Sequence, residues 1–374
     1  MGKLFEFLSL VGSEYVLSKI FIQAKPGCPT AGKRLCMTFE VSMKKQMGVW
    51  GMALSMTVVF CGAAMAQTVG GLPPKPGGFM PGGGMAPKKA DTSGIKNKFV
   101  DVAYATVSPT QKLDLYLPHE AKTPYPLIIE IHGGGFMMGS KSGDISPMLL
   151  GLQRGYAVAT INYRLSGEAK FPAAVNDVKA AIRFLRANAA QYQLDTNRFA
   201  TWGGSAGGNL SAMAALSGGV VSLSDPALGL ADTSDKVQAA IVWFGPIDFG
   251  TMDAEFAALG SIGKMGPTNS ADSAESRYLG KVVGTSEAQA LVQAANPLTY
   301  LTPDDPAMYI QHGTADRNIP ITQSVNLAAR AGATIGKANV RFERLEGAEH
   351  GGSQFSADEN ARKVLDFLDH ALKR

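Results

Sequence analysis

From about Phe99 onward, short apolar runs alternate with segments in which apolar residues recur every three or four positions. Runs of the first kind read as strands and segments of the second as helices. Val102 to Val107 and Leu113 to Leu117 predict an opening antiparallel hairpin. Leu127-Ile128-Ile129-Glu130-Ile131 predicts a buried strand, and Ala157 to Ile161 the next. Pro172 suits a first helical turn, after which Val175, Val178, Ile182 and Leu185 keep helical spacing through Asn188. Arg198 to Trp202 reads as a strand, Ala206 to Leu216 as a helix and Val237 to Phe244 as a strand. Met308 to Gln311, Thr322 to Ala331, Val340 to Leu345 and Ala357 to Leu372 complete a strand, helix, strand, helix series. Strands separated by helices predict an α/β chain with a mostly parallel twisted sheet covered by helices on both faces. Ligands of such sheets bind outside the carboxyl ends of the strands.

Two regions break the alternation. Between about 250 and 302 it lapses, which predicts a small cap insertion. Met252, Phe256, Leu259, Ile262, Met265, Tyr278 and Leu279 there either wall a pocket or serve ordinary helix packing. Before Phe99 the chain reads quite differently. Lys44 and Lys45 precede an apolar run from Met47 to Ala63, and Ala64-Met65-Ala66 supplies small residues before Gln67. That order predicts a signal peptide over 43–66 with its start at Met43, with 1–42 as an upstream extension and the body secreted or periplasmic; an uncleaved membrane anchor is the alternative. Residues 67–98, rich in Pro and Gly, predict a flexible linker, and 99–374 the catalytic domain.

Composition narrows the chemistry. The formal net charge of +4 comes wholly from residues 1–66, which hold seven of the 35 Lys/Arg and three of the 31 Asp/Glu, leaving 28 of each in the body. A neutral body without a basic stripe predicts no nucleic-acid partner. All three cysteines, Cys28, Cys36 and Cys61, precede residue 67. The body therefore has no disulfide, thiolate metal site or cysteine nucleophile. Covalent catalysis there needs an oxygen nucleophile or lysine.

Gly203-Gly204-Ser205-Ala206-Gly207 lies between a predicted strand and a predicted helix, the context of a strained nucleophile turn. His132-Gly133-Gly134-Gly135-Phe136 follows the strand ending at Ile131 and offers successive backbone N–H groups for an oxyanion hole. Gly134 and Gly135 are the favoured donors, with Gly133 as the alternative, and Ala206 N–H is their partner. Of five histidines only His350 follows a late strand and precedes the last helix, so it is the expected base. Asp316, after the strand Met308 to Gln311, is the expected acid that orients it. The order Ser205, Asp316, His350 is the α/β-hydrolase order. Asp177 and Arg164 read as a structural pair.

Together, His132 to Phe136, Asn162-Tyr163-Arg164-Leu165-Ser166, Gly203-Gly204-Ser205-Ala206-Gly207-Gly208-Asn209 and the Asp316 and His350 loops resemble the hormone-sensitive-lipase-like branch of α/β-hydrolase esterases, over about residues 99–374. Through Phe171-Pro172-Ala173-Ala174-Val175-Asn176-Asp177-Val178 and Ser276-Arg277-Tyr278-Leu279-Gly280 the chain is most similar to bacterial feruloyl and acetyl esterase-type proteins. Gly204 stands where lipase-like members usually carry aspartate, which favours that comparison. The resemblance implies a serine carboxylesterase acting on short-chain or aromatic acyl esters, free or saccharide-linked, through an acyl-enzyme, with no cofactor or metal. After signal cleavage no stable membrane insertion is expected. A small-amide (formamidase-like) hydrolase and a non-catalytic binding protein on the same fold are the alternatives.

Overall fold

The computed structural model describes residues 89–372 continuously and, before them, three strands: β1 (Tyr15–Ala24), β2 (Met37–Lys45) and β3 (Val58–Val59). These three form an antiparallel sheet in the order β1-β2-β3 within a unit of their own, residues 1–80. Apart from its residues in β2 and β3, the expected signal segment lies outside the described residues, as do the three cysteines and residues 67–88 of the expected linker.

The second unit is built on eight strands: β4 (Lys98–Ala103), β5 (Lys112–Tyr116), β6 (Tyr125–Ile131), β7 (Ala157–Ile161), β8 (Leu194–Gly204), β9 (Ala239–Trp243), β10 (Ala307–Gly313) and β11 (Val340–Leu345). They pair in the order β11-β10-β9-β8-β6-β7-β5-β4. Pairing is parallel from β7 through β6 to β11, and antiparallel where β5 joins β4 and β7. Expected strands and observed strands agree closely in the buried centre. They differ at the edge, where the first strand lies about four residues earlier than its apolar pattern suggests. That edge strand is largely exposed, so burial does not fix which residues pair.

Alternation along β6 sends Leu127, Ile129 and Ile131 to one face and Ile128 to the other. On the first face, Val175, Val178, Ile182 and Leu185 of the helix Ala173–Ala187 join Leu210 and Met213 of the helix Ala206–Leu216. Pro172 stands just outside the first of these as its N-terminal cap. On the second face, Val364, Leu365, Leu368 and Leu372 of the helix Asp358–Leu372 cover Trp202, Ile241 and Tyr309. Each such fully buried side chain contributes about 1.5–3 kcal/mol. No helix among the described residues is long and apolar enough to cross a membrane.

The topology sets where ligands can bind. β6 lies between β7 and β8, so the chain reverses its direction across the sheet there, and a crevice opens beyond the strand ends. Register brings those ends level, with Ile131 opposite Gly203, Gly204 opposite Trp243 and Gly313 opposite Leu345. The loops after β6, β8, β10 and β11 therefore begin at one height.

Candidate active site

Ser205 occupies the turn between β8 and the helix Ala206–Leu216 with φ 58° and ψ −126°. Side chains rarely adopt this conformation, which costs about 1–3 kcal/mol unless its surroundings enforce it. Here they do. The Ser205 N–H donates to the Trp243 carbonyl at 3.0 Å, and the Asn209 N–H donates to the Ser205 carbonyl at 3.1 Å. Small neighbours are obligatory, because a β-carbon at Gly203 would meet the Gly207 oxygen at 2.1 Å, and one at Gly207 would meet the Ile131 oxygen at 1.9 Å.

The expected base and acid complete a hydrogen-bonded chain. His350 Nε2 lies 2.9 Å from Ser205 Oγ, and His350 Nδ1 lies 2.7 Å from Asp316 Oδ2. The Asp316 side chain has no solvent exposure. Burial alone would raise its carboxyl, but hydrogen bonds from His312 and His350 outweigh that cost and hold it well below the usual carboxylate range. Its other oxygen accepts the N–H groups of Asn318 and Ile319 at 2.8 and 3.0 Å. A permanently charged acceptor fixes His350 with Nδ1 protonated and Nε2 facing the serine.

Two supports of this chain were not anticipated from sequence. His312, at the end of β10, is fully buried with Nε2 3.3 Å from Asp316 Oδ2, while its Nδ1 meets Ser324 Oγ at 2.7 Å. Its place just ahead of the acid loop was the available signal. Phe244 packs edge-on against His350, ring centroids 4.7 Å apart, and against Phe355 at 4.4 Å. A β-carbon at Gly204 would lie 3.0 Å from the tip of that ring. The absence of aspartate at this position thus makes room for the aromatic ring that packs on His350.

The glycine loop after β6 stands against Ser205. A β-carbon at Gly133 would lie 3.3 Å from Ser205 Cβ, and Gly134 has φ +110° with the Met138 oxygen only 2.2 Å from where a β-carbon would sit. Gly134 therefore tolerates no side chain. The N–H groups of Gly133, Gly134, Gly135 and Ala206 donate to no acceptor among the described residues. Beneath the loop, His132 Nδ1 lies 2.8 Å from the Gly133 oxygen, and its ring stacks on Tyr163 at 4.3 Å. Burial pushes that imidazole down to about 4, so it is neutral at physiological pH and a rigid prop rather than a base.

The insertion between β9 and β10 carries the helices Met252–Ala258, Ala274–Leu279 and Gln289–Ala295, as a cap requires. It reaches both sides of the site. Ala274 Cβ would lie 3.2 Å from a β-carbon at Gly135, and the Lys264 N–H donates to the Arg317 oxygen at 2.7 Å. The seven apolar residues expected to line a pocket or pack there divide into two groups. Met252, Phe256, Tyr278 and Leu279 are buried, Tyr278 stacking on Phe136 at 3.9 Å, whereas Leu259, Ile262 and Met265 are exposed. Arg164 and Asp177 form the expected structural pair, with Arg164 Nη2 2.8 Å from Asp177 Oδ1. A further bond from Gln111 Nε2 at 2.7 Å leaves the buried Asp177 carboxylate fully engaged.

The fold is that of an α/β-hydrolase, with Ser205 at the strained turn after β8. The chain belongs to the BD-FAE family, whose model matches residues 113–330. It is similar to the esterase LipQ of Mycobacterium tuberculosis, 31% identical over 60% of this chain and 50% of that protein. It is likewise similar to the probable carboxylic ester hydrolase LipM of the same organism, 28% identical over 67% of this chain and 55% of that protein. The chain spans about half the length of these curated relatives. Among solved structures it is similar to a truncated form of a carbohydrate esterase from gut microbiota, 32% identical, covering 77% of this chain and 100% of that one with a TM-score of 0.68.

Proposed function

We propose that this protein is a serine carboxylesterase that cleaves short-chain or aromatic acyl esters, including esters carried by saccharides, through an acyl-enzyme. The observation that carries the reading is the unbroken chain from Ser205 Oγ through His350 to the buried, charged Asp316. Ser205 Oγ attacks the ester carbonyl while His350 Nε2 takes its proton. Asp316 stabilises the imidazolium that results. The N–H groups of Gly134, Gly135 and Ala206 receive the developing oxyanion, each commonly worth ~3 kcal/mol of barrier. His350 then returns the proton to the departing alcohol oxygen, and water repeats the sequence on the acyl-enzyme. Similarity to a carbohydrate esterase supports a saccharide-borne ester. The basic and apolar order of residues 43–66 supports action outside the cytoplasm.

The test is a panel of p-nitrophenyl acetate to laurate, methyl ferulate and acetylated xylan, run on wild type and Ser205→Ala. We expect Ser205→Ala to lose at least a thousandfold in kcat, and an organophosphonate probe to label wild type at Ser205 alone. Turnover that survives the substitution sinks the mechanism. Faster cleavage of the amide than of the ester of one acyl group would replace esterase by amidase.

A further inference from the structure

The glycine loop hangs between two aromatic stacks. At its start the His132 ring lies on Tyr163 with planes 13° apart, and Tyr163 Oη donates to the His132 carbonyl at 3.0 Å. At its end the buried Phe136 lies on Tyr278, ring centroids 3.9 Å and planes 7° apart. Gly134, Gly135 and Phe136 all have left-handed backbone, with φ of 110°, 60° and 59°. Glycine takes that conformation freely and, for the same reason, does nothing to hold it. Phenylalanine takes it only where its surroundings enforce it. The orientation of the loop is therefore imposed at Phe136.

The Phe136 carbonyl accepts the Ser166 N–H at 2.7 Å, while its ring is covered face-on by Tyr278 and edge-on by Phe249 at 6.0 Å. Tyr278 is itself held. Its carbonyl accepts the Phe171 N–H at 2.9 Å, and the Phe171 ring stands edge-on to it at 5.7 Å. The helix Ala274–Leu279 that carries it is closed at both ends: Ser273 Oγ accepts the Ser276 N–H at 3.0 Å, and the Gly280 N–H donates to the Ser276 carbonyl at 2.8 Å. Ala274, one turn before Tyr278 on the same helix face, would stand 3.2 Å from a β-carbon at Gly135. One face of this helix thus touches two consecutive residues of the loop. The Tyr278 hydroxyl is buried without a hydrogen-bond partner among the described residues, so the ring face does the holding.

We propose that Tyr278 is a positioning residue, which by stacking on Phe136 stops the Gly135–Phe136 peptide from rotating and so keeps the Gly134 and Gly135 N–H groups aimed at the oxyanion. The proposal rests on the esterase reading above and brings the insertion between β9 and β10 into the chemical step at that site. Oxyanion donors act only within about 2.7–3.1 Å of the place where the charge develops. A loop free to rotate therefore loses them in the transition state, with little effect on the bound ester.

The experiment measures kcat and KM on p-nitrophenyl acetate for wild type, Tyr278→Leu and Tyr278→Phe. It adds Ki for acetophenone, which stays planar, and for phenyl trifluoromethyl ketone, whose carbonyl carbon Ser205 Oγ attacks to leave a hemiketal oxyanion while His350 takes the proton. In Tyr278→Leu, kcat should fall about tenfold or more, with KM changed by less than about twofold. Ki for the trifluoromethyl ketone should rise by a similar factor, while Ki for acetophenone and the shape of the pH profile of kcat/KM stay as in wild type. Tyr278→Phe keeps the ring and should retain at least about half of wild-type kcat. A Tyr278→Leu enzyme with wild-type kcat overturns the proposal. So does a loss of kcat without loss of trifluoromethyl ketone affinity, or a Tyr278→Phe enzyme as slow as Tyr278→Leu. Should circular dichroism show Tyr278→Leu unfolded, Phe136→Leu removes the other ring of the pair and is held to the same outcomes. A wild type that neither turns over the aryl ester nor takes an organophosphonate label at Ser205 overturns the esterase reading and this proposal with it.

Discussion

Glu130 interrupts the otherwise apolar strand β6 with a carboxyl that water hardly reaches. Burial raises it to about 8, with the Thr160 hydrogen bond pulling the other way. Thr160 Oγ1 also lies 3.0 Å from the Lys141 oxygen. With one hydroxyl hydrogen between two acceptors, the arrangement is satisfied when Glu130 carries a proton and donates it to Thr160. The unfolded carboxyl titrates near 4.3. Between about pH 4 and 8 the folded state therefore holds a proton that the unfolded state has lost, and stability falls as pH rises through that window. Glu130→Gln keeps the donor and removes the ionisation. In urea unfolding, the variant should match wild type near pH 5 and exceed it at pH 9 by on the order of a few kcal/mol. An equal gap at both values would mean the carboxyl is not the titrating group.

At the scale of elements, the turn from β8 into its helix and the loop after β9 share one constraint. Phe244 has φ 37°, and its ring fits between His350 and Phe355 because Gly204 leaves the space empty. Gly204→Asp places a charged branch against that ring and forces it aside, with His350 losing its aromatic wall. We expect kcat/KM on p-nitrophenyl acetate to drop at least several-fold, while the melting temperature falls only modestly. Full activity would show that Phe244 yields without moving the base. The glycine motif was thus legible as a turn from spacing alone. The aromatic partner was not, because Phe244 and Gly204 meet only through pairing of β8 with β9 and of β9 with β10.

For the molecule as a whole, the site is a product of packing, since its parts come from the ends of β6, β8, β10 and β11. No two of them are held by a local interaction strong enough to survive alone. Loss of the sheet should therefore abolish the site in one step. Leu368, fully buried on the face opposite the helix Ala206–Leu216, tests this coupling. Leu368→Ala should cost about 2–5 kcal/mol. Activity and circular dichroism should then melt together at a lowered midpoint, with the rate below the transition close to wild type. Activity lost well before the fold would indicate that the loops are organised independently of the core.

Hydrophobic periodicity determined the central strands and the covering helices, and the motifs that follow those strands determined the order of Ser205, Asp316 and His350, because each is a local pattern with a local physical cause. The edge strand β4 escaped it, since exposed residues carry no burial signal. What the tertiary structure decided was convergence: Ser205 and His350 stand 145 residues apart in sequence and 2.9 Å apart in space. It also gave His312 and Phe244 their work as supports. Contacts between distant strand ends depend on sheet order and register, which pairing across the whole chain sets and no single segment encodes.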